Sequence, residues 1–111
     1  MTYSSDMKFI ETPIFTEDID TFISAESYRS LQQAMIFRPD AGALIPGGAG
    51  LRKLRWPEPG KGKRGGLRII YYWDVPEDAV YLLLVYRKSR QEDLTRDQLK
   101  FLSHLIGEYL S

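Results

Sequence analysis

The chain has 111 residues and a mass of 12.8 kDa, which suffices for one hydrophobic core and excludes a second domain of catalytic size. Its composition, 43% hydrophobic and 27% charged, is typical of a globular protein and excludes a disordered tail or a fibre. The absence of cysteine and the presence of one histidine exclude a disulfide framework, a thiol nucleophile and a multi-histidine metal centre. We therefore expect chemistry without a metal or another cofactor.

The fifteen basic and fifteen acidic side chains cancel in total but are segregated along the chain. Residues 1–50 carry a net charge of −4, residues 51–68 a net charge of +6, and residues 69–111 a net charge of −2. Cations that lie within about one Debye length of each other sum to a local potential that attracts polyanions. The basic segment therefore predicts either a nucleic-acid contact or, as the simpler alternative, a solvated basic loop.

The N-terminal half reads as one strand followed by helix. Residues Lys8–Phe15 have the pattern of a short strand, and Thr16 with the two acids after it has the pattern of a helix N-cap. Ser24 is a second capping candidate, and Pro39 ends the helical pattern. We expect two consecutive helices, or one bent helix, over residues 17–38.

The C-terminal half reads as three strands followed by one helix. Residues 39–50 are glycine-rich and predict a connector between elements, in preference to a ligand cradle. Thr95 and Gln98 fit a capping box that opens a last helix. The three predicted strands, rich in branched and aromatic residues, are Leu51–Trp56, Leu67–Val75 and Ala79–Tyr86.

The resulting order, β-α-α-β-β-β-α, predicts an α+β fold. We expect an antiparallel or mixed sheet with N-terminal helices and a C-terminal helix, packed mainly on one face of the sheet. A single domain over residues 1–111 is expected, with residues 1–6 as a flexible N-terminal extension. Apolar runs are too short to span a bilayer and the N-terminus lacks a signal pattern, which predicts a cytoplasmic protein without membrane contact.

Strand periodicity predicts that the basic side chains gather on one face of this sheet. Alternate residues of a strand share a face, so Lys53 lies beside Arg55 and Arg68 beside Tyr72. Cations that stabilise phosphate charge, together with an aromatic ring that stacks on an unpaired base, suit RNA. The predicted patch consists of Lys53, Arg55, Arg68, Tyr86 and Lys88.

The segment Gly60–Gly65 matches G-x-G-x-x-G, but a strand follows it where a dinucleotide site needs a helix. Its cations, Lys61, Lys63 and Arg64, instead predict either a loop that grips phosphates or a solvated loop. His104 has the pattern of a structural or surface residue, and no convincing triad or carboxylate dyad can be assembled.

Several stretches, in this order, resemble HigB-like toxins of the RelE/ParE superfamily, which belong to type II toxin-antitoxin systems. The resemblance extends over residues 7–110. It is carried by Met7–Phe15, by Gly50–Trp56, by the basic loop Gly60–Gly66 running into Arg68–Tyr72, and by Tyr86–Lys88 before Asp93.

The resemblance implies a ribosome-dependent mRNA endoribonuclease, or mRNA interferase, that inhibits translation. Such enzymes cut mRNA in the ribosomal A site without metal, by attack of the RNA's 2′-hydroxyl, and leave 2′,3′-cyclic phosphate and 5′-hydroxyl ends. The implied partners are the ribosome with its rRNA and a cognate antitoxin that carries a helix-turn-helix DNA-binding domain. The alternatives are a ParE-like toxin that inhibits gyrase by protein binding and a basic RNA-binding module.

Matched to RelE position by position, the resemblance implies Lys53 as candidate base, Arg55 and Arg68 as phosphate stabilisers, and Lys88 as stabiliser or acid. Leu94 stands where RelE has its C-terminal tyrosine, so Tyr86 or Tyr72 is the candidate substitute. The further RNA or ribosome contacts predicted are Arg52, Lys61, Lys63, Arg64, Tyr72, Arg87 and Arg90.

Overall fold

A computed structural model describes residues 7–58 and 66–111 of the chain. Within these residues a five-stranded mixed sheet has the strand order β1-β5-β4-β3-β2, in which β1 runs parallel to β5 and the other neighbours are antiparallel. The elements in chain order are β1 (Lys8–Glu11), α1 (Pro13–Phe22), α2 (Ala25–Phe37), β2 (Ala43–Leu44), β3 (Arg52–Trp56), β4 (Leu67–Asp74), β5 (Ala79–Arg87) and α3 (Arg96–Leu110). The predicted fold class is confirmed, with β2 as an additional short strand at the sheet edge.

The first helix begins one turn earlier than the sequence pattern indicated, because Thr12 and not Thr16 is its N-cap. The Thr12 hydroxyl accepts a hydrogen bond from the Phe15 N–H at 3.1 Å and donates one to the Leu83 carbonyl at 2.8 Å. Pro13 then occupies the first helical position, where its missing N–H costs nothing. The predicted strand therefore ends at Glu11, four residues before its expected end.

The second helix follows the prediction closely. The Ser24 hydroxyl caps it by accepting from the Ser27 N–H at 3.1 Å, and the helix ends at Phe37, before Arg38 and Pro39. The predicted connector contains one short strand, since Ala43 and Leu44 pair with β3. Periodicity cannot reveal a strand of two residues, which is too short to show alternation.

The helices cover both faces of the sheet, which corrects the expectation that they pack mainly on one. Helices α1 and α2 bury Phe15, Leu31 and their neighbours against one face, together with Ile69 and Tyr71 of β4. On the opposite face α3 packs against Ile70 and other residues through its buried side chains, Leu102 and Ile106. The sheet is thus the middle layer of three, and its two faces carry different side chains.

The last helix has the predicted start, because the Thr95 hydroxyl accepts from the Gln98 N–H while the Gln98 side chain accepts from the Thr95 N–H. This reciprocal pair fixes where α3 begins, and Leu94 and Leu99 pack beside it against the core. No helix in the part of the chain that the structure describes is long and apolar enough to cross a membrane.

Candidate functional site

The strand register brings the predicted basic side chains onto the face of the sheet that α3 partly covers. In β3 and β4, Arg55 lies opposite Arg68, and Arg68 lies opposite Tyr86 of β5. Directly opposed residues of antiparallel strands project to the same face. Lys53 is two residues from Arg55 and opposite Ile70, whose side chain packs in the α3 cluster, which identifies the face.

These side chains surround one cavity of about 240 Å³, which we call the basic cavity. Its lining is almost entirely polar and combines four cations from β3, β4 and the turn after β5 with two acids from the segment before α3. The lining residues are Lys53, Arg55, Arg68, Lys88, Glu92 and Asp93. The predicted convergence of Lys53, Arg55, Arg68 and Lys88 is therefore present in the structure, and a cavity with this lining can bind a phosphate group.

The two arginines of this cavity differ in their surroundings. Arg68 is only 5% exposed, and its guanidinium donates to the Leu67 carbonyl at 3.2 Å. Arg55 is exposed. Within residues 7–58 and 66–111, neither guanidinium lies within 4 Å of a carboxylate. Arg68 is thus a buried cation without a carboxylate within 4 Å among the described residues, whereas Arg55 is exposed to solvent.

Lys53 is not free in this structure, because its ammonium donates to the Asp93 carboxylate at 2.6 Å. The hydrogen bond from Lys53, its charge and the more distant charge of Arg68 lower the pKa of Asp93 below its usual value. Sequence reasoning missed this acid, because it found no convincing carboxylate dyad. The sequence signal that could have found Asp93 is its position two residues before Thr95, the N-cap of the helix that packs on this face of the sheet.

Tyr86 lies beside the basic cavity without forming part of its lining. Its side chain is 7% exposed, and its hydroxyl has no hydrogen-bond partner among the described residues. Burial raises the pKa of Tyr86, with a smaller contribution in the same direction from Asp93 and an opposing one from Arg68. Tyr72 shares the face but packs closely against Gly50, away from the cavity, so of the two predicted tyrosines only Tyr86 is near the cations.

Arg52 and Arg87, both predicted to contact RNA, do not join this cavity. Arg52 donates to the Gly42 carbonyl at 2.8 Å and ties β3 to the connector before β2. The Arg87 guanidinium binds both carboxylate oxygens of Glu58, at 2.9 to 3.2 Å, and lies over the Phe22 ring at 4.7 Å. Both positions alternate with the cavity residues along their strands, so they point toward the side of α1 and α2.

The remaining predicted residues lie either outside the cavity lining or outside the described residues. Arg90 lies exposed in the turn after β5 and is not part of the cavity lining. His104 is on the surface of α3, where it pairs with Glu108 at 3.2 Å, in agreement with a surface role. Lys61, Lys63 and Arg64 lie outside the described residues, as do residues 1–6. No group of three or more histidine, aspartate or glutamate side chains suited to a metal ion is found within the described ranges.

Comparison with known proteins gives one clear result for the fold. No family model matches the sequence. The structure is similar to a solved structure of the E. coli toxin RelE, a double arginine-to-alanine mutant in the free state, with a TM-score of 0.57 and 13% sequence identity. The match covers 77% of this chain and 86% of that one. At this level of identity the similarity establishes the fold alone, and this chain has a RelE-like α+β fold.

Proposed function

We propose that this protein is a HigB-like toxin of a type II toxin-antitoxin system and that it acts as an endoribonuclease on mRNA in the ribosomal A site. The observation that carries the proposal is the basic cavity, in which three cations from β3 and β4 and one from the turn after β5 face one space of about 240 Å³. The neighbour in structure is described as a toxin, and a RelE-like fold with such a cavity supports the same class for this chain.

The proposed reaction uses the RNA itself as nucleophile. The 2′-oxygen of a ribose attacks the adjacent phosphorus, the bond from phosphorus to the 5′-oxygen breaks, and the products end in a 2′,3′-cyclic phosphate and a 5′-hydroxyl. One proton leaves the 2′-hydroxyl and one is delivered to the 5′-oxygen, so the reaction needs a base and an acid. Negative charge accumulates on the phosphoryl oxygens in the transition state, where prearranged cations are most effective.

In this proposal Arg55 and Arg68 stabilise that charge, and Lys53 is the base. Lys53 donates to Asp93 at 2.6 Å in the free protein, so this contact must open before the Lys53 amine can reach a 2′-hydroxyl. Tyr86 and Lys88 are the candidate acids. Burial raises the pKa of Tyr86, so its hydroxyl stays protonated at neutral pH, which is the form that a proton donor requires.

The proposed partners are the ribosome and a cognate antitoxin. The ribosome would present mRNA in the A site and provide rRNA phosphates around the basic segment. The contact between Lys53 and Asp93 must open first, which is consistent with activity only when the protein is bound to the ribosome. A cognate antitoxin with a helix-turn-helix domain would silence the toxin by covering or distorting the +6 segment. No membrane or cofactor enters this proposal.

The decisive variant is Arg55→Ala, because Arg55 is exposed and its truncation removes a cation without opening the core. Pulse expression and reconstituted translation of the wild type should yield new 5′-hydroxyl ends in translated mRNA, mapped by primer extension. Loss of one charge-stabilising group should lower cleavage by about 100-fold. Arg38→Ala is the matched control, since Arg38 is an exposed arginine that does not line the cavity, and should cleave like the wild type.

Two results would overturn the proposal. The first is unchanged cleavage by Arg55→Ala, which would remove the cavity from the reaction. The second is an arrest of DNA replication without any new mRNA ends, which would identify a ParE-like inhibitor of gyrase.

A further inference from the structure

A second cavity of about 380 Å³ adjoins the basic cavity, and we call it the apolar pocket. It lies between the edge strand β2 with the residues after it and the segment that leads into α3. Two of its lining residues, Lys53 and Asp93, also line the basic cavity. The other six are apolar or aliphatic, namely Ala43, Leu44, Ile45, Pro46, Leu94 and Leu99.

Both walls of the apolar pocket are held in place by hydrogen bonds. The Ile45 N–H donates to the Leu51 carbonyl at 2.9 Å, which fixes the turn beyond β2. The opposite wall is set by the capping box of Thr95 and Gln98, which lies between Leu94 and Leu99. Pockets that are formed before binding take ligands without the cost of ordering their walls.

We propose that the apolar pocket binds the base of the nucleotide whose phosphate enters the basic cavity. A nucleotide joins an anionic phosphate to a planar group with apolar faces, and these two cavities offer the same pair of environments side by side. The inference rests on the proposed function and deepens it, because it assigns the site that would select the nucleotide at the cut.

Size and polarity support a single base over a longer apolar segment. Pockets for small ligands range over roughly 300 to 1,000 Å³, and this one lies near the lower limit. Leu44, 60% exposed on the open edge of β2, provides an aliphatic surface for the face of a ring. Lys53 and Asp93 are the polar part of the lining and pair with each other at 2.6 Å. The remaining N–H groups of the ammonium and the second carboxylate oxygen offer donors and acceptors to the edge of a bound base.

The test compares adenosine 5′-monophosphate with ribose 5-phosphate, which share the phosphate and sugar and differ only in the base. Binding of each to the full chain is followed by NMR titration. We expect the nucleotide to bind about tenfold more tightly, a difference of about 1.4 kcal/mol from burial of the base. Leu44→Ser should reduce this ratio to about two. Phe101→Ser is the matched control, because Phe101 is 64% exposed on α3 outside the pocket, and should keep the full ratio.

Equal binding of the two compounds by the wild type would overturn the assignment of the pocket, and so would an unchanged ratio in Leu44→Ser. The mRNA cleavage assay on the same preparations separates this failure from failure of the proposed function. If mRNA is cut but the two compounds bind equally, only the proposed base pocket is wrong. If the tenfold ratio is found but mRNA is not cut, the base pocket is supported and the proposed nuclease activity is wrong.

Discussion

Arg68 is a buried cation that makes no ion pair within 4 Å among the described residues. It is 5% exposed and donates to its neighbour's carbonyl, while the cavity around it contains three other cations and two acids. Replacing buried charged groups by apolar side chains of similar volume is often neutral or stabilising. An arrangement that costs stability and concentrates positive charge is expected at a site that binds anions.

We therefore predict that Arg68→Met separates stability from activity. The unbranched methionine fills the space of the arginine stem without its charge, so the free energy of unfolding should stay equal or rise by about 1 kcal/mol in urea titrations. Cleavage of mRNA should be lost. A fall in stability of more than about 2 kcal/mol would show that the guanidinium serves the fold.

The contact between Lys53 and Asp93 predicts that the protein's own carboxylate competes with RNA phosphate. Asp93→Asn should increase the affinity for a single-stranded RNA of 2′-O-methyl nucleotides, which cannot be cut, by about threefold to tenfold at low salt. Glu92→Gln is the matched control, because it removes the same charge from the same cavity.

The comparison of these two variants isolates the direct contact, since long-range effects of the lost charge are shared. Fluorescence anisotropy with a labelled oligonucleotide measures both affinities. Equal gains for Asp93→Asn and Glu92→Gln would mean that only the overall charge of the cavity matters, and the proposed competition for Lys53 would be wrong.

At the scale of elements, the features set by local rules could be predicted from the sequence, and those set by tertiary contacts could not. Alternation along β3 and β4 placed Lys53, Arg55 and Arg68 together, because strand geometry alone decides the face. It did not reveal that α3 packs on the opposite face from α1 and α2, since each helix shows only that it has an apolar side. Asp93 was missed because its contact with Lys53 spans 40 residues and depends on which face of the sheet α3 covers.

The N-cap of α1 is one feature for which the sequence pattern and the structure differ, and it can be tested directly. Thr12 is 3% exposed and its hydroxyl both accepts from the Phe15 N–H and donates to the Leu83 carbonyl. Thr12→Ala should lower the free energy of unfolding by about 2 kcal/mol, because it removes a cap and leaves a buried carbonyl without a donor.

Thr16→Ala is the matched control for that experiment. The Thr16 hydroxyl donates to the Glu11 carboxylate in an exposed position and caps no helix, so its loss should cost less than about 0.5 kcal/mol. Urea unfolding of both variants measures the difference. Equal losses would contradict the N-cap at Thr12, and a larger loss for Thr16→Ala would place the cap at Thr16, as the sequence pattern first indicated.

For the whole molecule, the division of charge into −4, +6 and −2 matters more than the total of zero. The four cavity cations all come from the basic segment and the turn after β5, while acids dominate the N-terminal helices. A distribution of this kind attracts polyanions to one region and repels them from the acidic surroundings.

We predict that the salt dependence of RNA binding is set by the basic segment and not by the net charge. For single strands, log K decreases linearly with log salt concentration, and the magnitude of this slope is smaller by about 0.7 for each phosphate contact that is lost. Lys61 and Lys63 lie outside the described residues, so their contribution is inferred from sequence position, and the double variant Lys61→Ala with Lys63→Ala should reduce the slope by about 1.4. The double variant Lys8→Ala with Lys100→Ala removes two exposed cations outside the segment and should leave the slope unchanged.

Anisotropy titrations with the 2′-O-methyl RNA at several salt concentrations measure both slopes. If the two double variants lower the slope equally, binding responds to total charge, and the +6 segment has no special role in it.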